Sequence, residues 1–240
     1  MISETIKQQH PNIPFVDLEA FTEKYHERFY RRLIFTIRDP KKNLGQNTVK
    51  FLQCLLQRSR DLHAGLIDCI NSSHVLASYL SARAHLETTA AAAYILHTLR
   101  KFADSTRTYD DTSQILYRLS LGGRTFPDRD KNPDAPQPIR IGDQIKIADE
   151  VFSSCRINNP FRDMYGFLSE FCHPNFLGQN AGVDISKLWQ FDFSEDARFQ
   201  HSDFNEIVSP VCISCAGFFL FYDEAFHIAE QRTVMPRLEK

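Results

Sequence analysis

A row of polar residues between residues 161 and 175 has the residue types that transfer protons and bind anions. Arg162, Ser169 and His173 recur at i, i+7 and i+11, which places them on one flank of a helix. An imidazole can take or give a proton near neutral pH, and a guanidinium stabilises phosphate charge. We therefore expect a site on this flank.

The same segment carries the apolar face that must position this row. Its apolar residues follow the helical period and are predicted to be core: Phe161, Met164, Tyr165, Leu168, Phe171 and Cys172. Asn159 and Pro160 predict the start of the helix and Pro174 predicts its end, so His173 is expected in the last turn. Gly166 lies in the polar row and predicts a close approach by a second helix.

Charged residues also interrupt two other apolar stripes. Arg83 and Glu87 lie one turn apart in a line that contains Leu76 and Leu80, and the spacing predicts an ion pair. The pair either fixes the register of its helix or lines a pocket. Glu224 interrupts the stripe of the last helix in the same way. We expect the three helices to meet around a polar cluster, with these members: Arg83, Glu87, Ser169, His173 and Glu224.

A metal site is one alternative chemistry. Glu170 and His173, like Glu224 and His227, have the Glu-x-x-His spacing that builds di-metal carboxylate sites in helical bundles, and Glu87 would add a further carboxylate. The helix order differs from that of ferritin-like chains, which alternate a lone glutamate helix with a Glu-x-x-His helix. We assign no metal ligand and no cofactor, and keep a di-metal enzyme as an alternative.

Two short motifs resemble a known superfamily. Residues 169–175, SEFCHPN, resemble the closing motif of HEPN proteins, which are helical-bundle domains common in prokaryotic toxin and antiviral systems. Residues 82–94, ARAHLETTAAAAY, and 165–175, YGFLSEFCHPN, are similar to bacterial all-helical families with an Arg-x-x-x-Glu helix and a Ser-x-x-x-His-Pro helix. The resemblance implies RNA binding, or RNA cleavage without a metal, in a defence or stress system. It also implies a homodimer, because HEPN sites are commonly completed across two copies.

The resemblance assigns roles to the residues of the row. His173 would be the general acid or base and Arg83 or Arg162 the phosphate clamp, while Ser169 and Asn175 would orient the substrate. The chain departs from the HEPN pattern, because catalytic members have an arginine that is separated from the histidine by four to six residues. Here those positions hold Leu168, Phe167 and Gly166. The spacing does occur between Arg58 and His63, which we interpret as a solvated helix face.

The elements around these residues predict an all-α fold, a single bundle of about seven helices. We divide the chain into a polar arm at 1–14, a helical domain at 15–233 and a tail at 234–240. The predicted helices are Val16–Arg38, Asn47–Asn71, a central Val75–Phe102, Thr106–Leu121, Gly142–Ser154, the segment from residue 161, and one from Ser209 to Gln231. A long loop is expected at 122–140 and an irregular segment at 176–200.

Composition limits the classes of function. The chain has 240 residues, 42% hydrophobic and 24% charged, with a formal net charge of -2. It therefore has no global basic field to attract nucleic acid or an anionic membrane, and it carries no DNA-specific signal. No apolar segment predicts a signal peptide or a membrane span, so we expect a cytoplasmic protein. Cys212 and Cys215 form a lone CxxC pair, interpreted as packing. A non-enzymatic module that binds a protein or a nucleotide remains the other alternative.

Overall fold

The computed structural model describes residues 1–39, 43–121, 137–153, 160–183 and 199–240. Within these ranges the chain forms nine helices and two short strands, which confirms the all-α class. The helices are α1 Glu4–Gln9, α2 Phe15–Arg28, α3 Leu44–Asn71, α4 Val75–Ala103, α5 Tyr109–Leu121, α6 Ile141–Phe152, α7 Pro160–Glu170, α8 Phe176–Asn180 and α9 His201–Arg232. The strands are β1 Arg32–Ile34 and β2 Arg237–Glu239.

The predicted central helix is confirmed. α4 packs against α3, α5, α6, α7 and α9, and Ala90, Ala92 and Ala93 in its middle are fully buried. Small side chains there let neighbouring helices approach, which is why an alanine run can stand at the centre of a bundle. The half of α4 that precedes this run carries the polar residues of interest.

The helix predicted at Val16–Arg38 is wrong in its second half. α2 ends at Arg28, and residues 32–34 form a strand antiparallel to residues 237–239, with Leu33 opposite Leu238. The side-chain amide of Gln53 accepts from the backbone N of Tyr30 and donates to the backbone O of Arg28, both at 3.0 Å. A side chain from α3 thus satisfies backbone groups that a continuing helix would have used.

The last helix begins eight residues before the predicted start. α9 opens at His201 with a capping box between Gln200 and Asp203, and Pro210 lies inside it. The capping box fixes the start, because it satisfies the free backbone N–H groups of Gln200 and Asp203. α9 is long and apolar enough to cross a membrane by length and composition, but more than half of that stretch is buried within the protein. It is a core helix of the bundle.

α7 is positioned at its start by a residue from α6. The buried carboxylate of Asp149 accepts hydrogen bonds from the backbone N of Phe161 at 2.9 Å and of Arg162 at 3.2 Å. An anionic acceptor at a helix N-terminus satisfies free N–H groups and complements the helix dipole. The close helix approach expected at Gly166 is wrong, since nothing lies within 4 Å of a Cβ placed there. It occurs instead at Gly217 of α9, where a Cβ would lie 3.1 Å from the Phe161 ring.

α7 ends at Glu170, three residues earlier than predicted. Cys172 N donates to Ser169 O, which tightens the last turn, and Pro174 disfavours helical geometry at His173. His173 therefore lies in a turn and not in the helix. The short α8 follows, inside the segment that we expected to be irregular. Of the two predicted irregular segments, residues 122–136 and 184–198 lie outside the described residues.

Candidate functional site

One side of α4 meets α7 in a partly exposed group of four residues, which we call the edge cluster: Arg83, Glu87, Tyr165 and Cys172. Arg83 Nη1 lies 2.7 Å from the Cys172 sulphur, and Nη2 donates to the Tyr165 hydroxyl at 3.1 Å. The predicted ion pair is confirmed, with Nη2 3.2 Å from a Glu87 carboxylate oxygen. The expectation that its helix face is core is wrong, because Leu76 and Leu80 are 39% and 41% exposed.

Arg83 is the centre of charge in this cluster. Burial opposes its charge, but hydrogen bonds to Tyr165 and Cys172 and the nearby Glu87 outweigh burial and raise the pKa of the guanidinium above its usual value. The guanidinium also lies over the Tyr165 ring, 5.2 Å from its centroid. Its Nε atom is buried and has no hydrogen-bond partner among the described residues. The cation is thus held on three sides, and its side chain stays 26% exposed.

His173 follows the edge cluster directly in the chain. Phe171 stacks on the buried Tyr79 of α4 with ring centroids 3.6 Å apart, which fixes the end of α7 against the central helix. His173 itself is exposed and makes no hydrogen bond through its side chain to any described residue. A Cβ at Gly178 would collide with the backbone oxygen of His173, so only glycine permits this turn geometry.

Three other predicted site residues differ in how free their side chains are. The Ser169 hydroxyl donates to the backbone O of Tyr165 at 2.6 Å, within its own helix. Asn175 caps α8 by accepting from Gly178 N at 3.0 Å, and it donates to a Glu170 carboxylate oxygen at 2.6 Å. Both side chains therefore have structural partners. Arg162 is exposed, and its guanidinium has no partner among the described residues.

Glu224 lies elsewhere. Its two carboxylate oxygens accept from Nε and Nη2 of Arg100, both at 2.6 Å. Arg100 stands 17 positions after Arg83 on α4, about 25 Å further along the helix at 1.5 Å per residue. The polar cluster expected from the sequence is therefore two separate groups, and Glu224 does not belong to the edge cluster.

The carboxylates of the two Glu-x-x-His pairs are engaged by neighbouring side chains, Glu170 with Asn175 and Glu224 with Arg100. His227 lies 2.7 Å from the Gln231 amide. Among the described residues, no three histidine, cysteine, aspartate or glutamate side chains come together in a group that could hold a metal ion. The geometry of these residues gives the di-metal alternative no support.

Sequence reasoning missed a buried polar group on the opposite side of α4. We call it the core network, and its members are Tyr25, Ser59, His85, Thr89, Ser214 and Cys215, all at most 1% exposed. His85 Nε2 lies 2.8 Å from Ser59 Oγ and 2.9 Å from Tyr25 Oη, while Nδ1 lies 2.8 Å from Ser214 Oγ. Thr89 Oγ1 joins Ser214 Oγ at 2.8 Å. Both ring nitrogens of His85 are therefore satisfied without water.

Burial dominates the electrostatics of the core network. It lowers the pKa of His85 to about 3, with a smaller contribution from His63, and it raises the pKa of Tyr25 and of Cys215. All three groups are thus neutral near pH 7. Because none is open to solvent, the core network has a structural role. Cys215 of the CxxC pair belongs to it. The one available sequence signal was His85 and Thr89 at i and i+4 within an apolar helix.

The Arg58 to His63 spacing is not a solvated face. His63 is buried and its Nε2 lies 2.8 Å from the backbone O of Leu18, whereas Arg58 is exposed and donates to Thr88 at 3.1 Å. Burial lowers the pKa of His63. The two side chains therefore point to different environments and form no joint site.

Comparisons with models of protein families, with curated proteins and with solved structures found no match. The HEPN resemblance therefore rests on the motifs at residues 82–94 and 165–175. The structure places these two motifs side by side, since Arg83 of the first contacts Tyr165 and Cys172 of the second. This contact is the starting point for a functional proposal.

Proposed function

We propose that the chain is an HEPN-like domain that binds or cleaves RNA where α4 meets the end of α7. One observation carries the proposal: the Arg83 guanidinium reaches across to Cys172, the residue directly before His173, at 2.7 Å. A cation from the central helix thereby contacts the turn that carries the exposed His173. In this proposal α4 supplies the arginine that is missing from the positions separated from His173 by four to six residues.

The two groups have complementary chemistry. The free, exposed His173 ring is suited to take a proton from a ribose 2′-hydroxyl or to give one to the leaving oxygen. The exposed part of Arg83 is suited to stabilise charge on the phosphate as the bond changes. Neither step needs a metal. Arg162, exposed on α7, is the second candidate for a phosphate contact.

The proposal also includes the biological context of the domain. The HEPN resemblance supports a role in a prokaryotic defence or stress system, in the cytoplasm, with a second copy of the chain completing the site. Ser169 and Asn175 then act indirectly, by shaping the turn that presents His173, because their own side chains are bonded within the chain. Glu87 contributes by holding Arg83 in place.

The decisive experiment incubates the purified protein with a labelled mixed RNA pool in EDTA, and follows both cleavage and binding. His173→Ala and Arg83→Ala are each expected to lower cleavage by about 100-fold or more, the range for losing a general acid or base or a group that stabilises charge in the transition state. Two matched variants control for the loss of an exposed histidine and of an α4 arginine. They are His227→Ala and Arg100→Ala, and both are expected to retain activity.

Each outcome has a defined meaning. Cleavage that survives chelation and disappears in the two site variants alone supports metal-free ribonuclease chemistry. Binding without cleavage that weakens in Arg83→Ala supports an RNA-binding domain. If no RNA is bound or cleaved, or if the site variants and the control variants behave alike, the proposal is wrong.

A non-enzymatic interaction module is the second candidate. It is favoured by the side chains of Ser169, Asn175 and Glu224, which all have structural partners within the chain. Three of the expected site residues thus have an architectural explanation. This candidate predicts that the RNA assay is negative and that His173→Ala has no effect on stability or on RNA.

A further inference from the structure

The cysteines of this protein differ in their surroundings. Five are described and all are free: Cys54, Cys69, Cys172, Cys212 and Cys215. Burial is the main cause of the raised pKa of Cys69 and of Cys215, and it raises the pKa of Cys212 to about 12. These thiols therefore stay protonated. Cys54 is the most exposed and has no charged partner at hydrogen-bond distance among the described residues. Cys172 alone of these five contacts an arginine.

The Arg83–Cys172 contact is held from several directions. Tyr165 and Glu87 bind the same guanidinium, so the cation cannot easily turn away from the sulphur 2.7 Å from Nη1. The other neighbour of the sulphur is the backbone O of Leu168 at 3.9 Å, a long contact for a thiol proton. A guanidinium beside a cysteine stabilises a negatively charged sulphur, and the thiolate is the nucleophilic form of cysteine.

Access is the second requirement for reactivity. Cys172 is half-buried, so a small reagent can reach it, whereas Cys215 is fully buried. The turn that follows α7, with its exposed His173 and Pro174, leaves this end of the helix open to solvent. Cys172 therefore combines a fixed cation with solvent access.

We propose that the Arg83–Cys172 pair is an oxidation site at which Cys172 reacts with peroxides. The sulphur attacks one oxygen of the peroxide, and an S–O bond forms as the O–O bond breaks. The cysteine is oxidised to a sulfenic acid, and the peroxide is reduced to water or an alcohol as the leaving oxygen takes up a proton. The reaction needs no RNA, so it is independent of the function proposed above.

The test treats the native protein with hydrogen peroxide, traps sulfenic acid with dimedone and measures the rate at each cysteine by mass spectrometry. Cys172 is expected to react about tenfold faster than Cys54, the factor that a hydrogen bond to a charged group can supply. Exposure alone predicts the opposite order. A Cys54 rate equal to or above that of Cys172 overturns the proposal.

Variants of Arg83 identify the cause. Arg83→Met is expected to lower the Cys172 rate about tenfold and leave Cys54 unchanged, since the charge-assisted contact with the Cys172 sulphur is lost. Arg83→Lys, which keeps the charge, is expected to retain part of the rate, and Arg100→Met to retain all of it. An unchanged Cys172 rate in Arg83→Met contradicts the proposal. If Cys215 becomes labelled in Arg83→Met, the fold of that variant has loosened, and Arg83→Lys becomes the test. A Cys172 rate in Arg83→Lys that is no higher than the Cys54 rate would then contradict the proposal.

Discussion

The edge cluster and the core network lie on opposite sides of one stretch of α4. Arg83 and His85 are two positions apart, which turns their side chains about 200° from each other around the helix axis. His85 enters a dry core and meets only neutral hydrogen-bond partners. Arg83 emerges beside α7, where it meets a carboxylate, a phenol and a thiol while part of its side chain remains in water.

Solvent access, more than residue type, distinguishes the structural side chains of this bundle from those that a ligand can reach. His85, a residue type that often serves catalysis, has both ring nitrogens satisfied and cannot exchange a proton with a ligand. His173, the same residue type, is exposed and has no side-chain hydrogen bond to any described residue. Variants that remove each histidine therefore test the distinction most directly.

The largest expected effect is on stability, from His85→Ala. The change leaves a cavity in a packed core and removes a partner from Ser59, Ser214 and Tyr25, so we expect the free energy of unfolding to fall by about 3–5 kcal/mol. Urea denaturation followed by circular dichroism measures it. His173→Ala is the matched control and is expected to change stability by no more than about 0.5 kcal/mol. Equal losses in the two variants would remove the distinction between the two sites.

The next effect is the pH dependence that buried neutral histidine imposes. Burial lowers the pKa of His85 from 6.5 to about 3. Between these two pH values the unfolded chain therefore binds a proton that the native chain does not. The free energy of unfolding is then highest above pH 6.5 and falls with decreasing pH, by about 1.4 kcal/mol per unit at most for one such group. Below pH 3 this contribution is lost completely.

The window from pH 6.5 to 5 gives the cleanest measurement, because most carboxylates remain ionised there. His85→Gln, although less stable at pH 7.5, is expected to show a shallower slope than the wild type. His63→Gln should reduce the slope as well, since burial also lowers the pKa of His63. A wild-type stability that is flat across this window would show that His85 is protonated in the native protein.

A smaller effect is expected from Tyr25→Phe. The hydroxyl contacts Ser59 at 2.7 Å and His85 at 2.9 Å, but those two residues also bond to each other at 2.8 Å. They keep a partner when the hydroxyl is removed, and so the loss should be about 1 kcal/mol, the net value of one hydrogen bond. Thermal and urea unfolding measure it. A loss above about 3 kcal/mol would mean that the network acts as one cooperative unit.

Much of the fold was readable from the sequence. The long periodic helices α3 and α4 were predicted within a few residues, as was the pairing of Arg83 with Glu87 one turn apart. These features depend on local spacing, which sequence shows directly. The error at α2 occurred because a distant residue decides where the helix ends: Gln53 of α3 binds the backbone there.

The candidate site was readable only in part. The proximity of the two motifs could be expected, but Tyr165 and Cys172 were assigned to the core because they share a stripe with Leu168. Their contacts with Arg83 depend on how far α7 is rotated against α4, which no period specifies. The pairing of Glu224 with Arg100 similarly depends on the relative shift of α9 along α4.

The smallest effect on stability should come from the ion pairs. A double-mutant cycle with Arg100→Met and Glu224→Gln is expected to give a coupling energy of at most about 1 kcal/mol, even for a bidentate pair, because both side chains are partly exposed to screening water. The same cycle on Arg83 and Glu87 should give about 0.5 kcal/mol, and both values should shrink at 1 M salt. A coupling above about 2 kcal/mol at Arg83 would make that pair part of the architecture, and the edge cluster would then resemble the core network in kind. Coupling energies as small as we expect would mean that Arg83 can contact a bound phosphate, as proposed, at little cost to the fold.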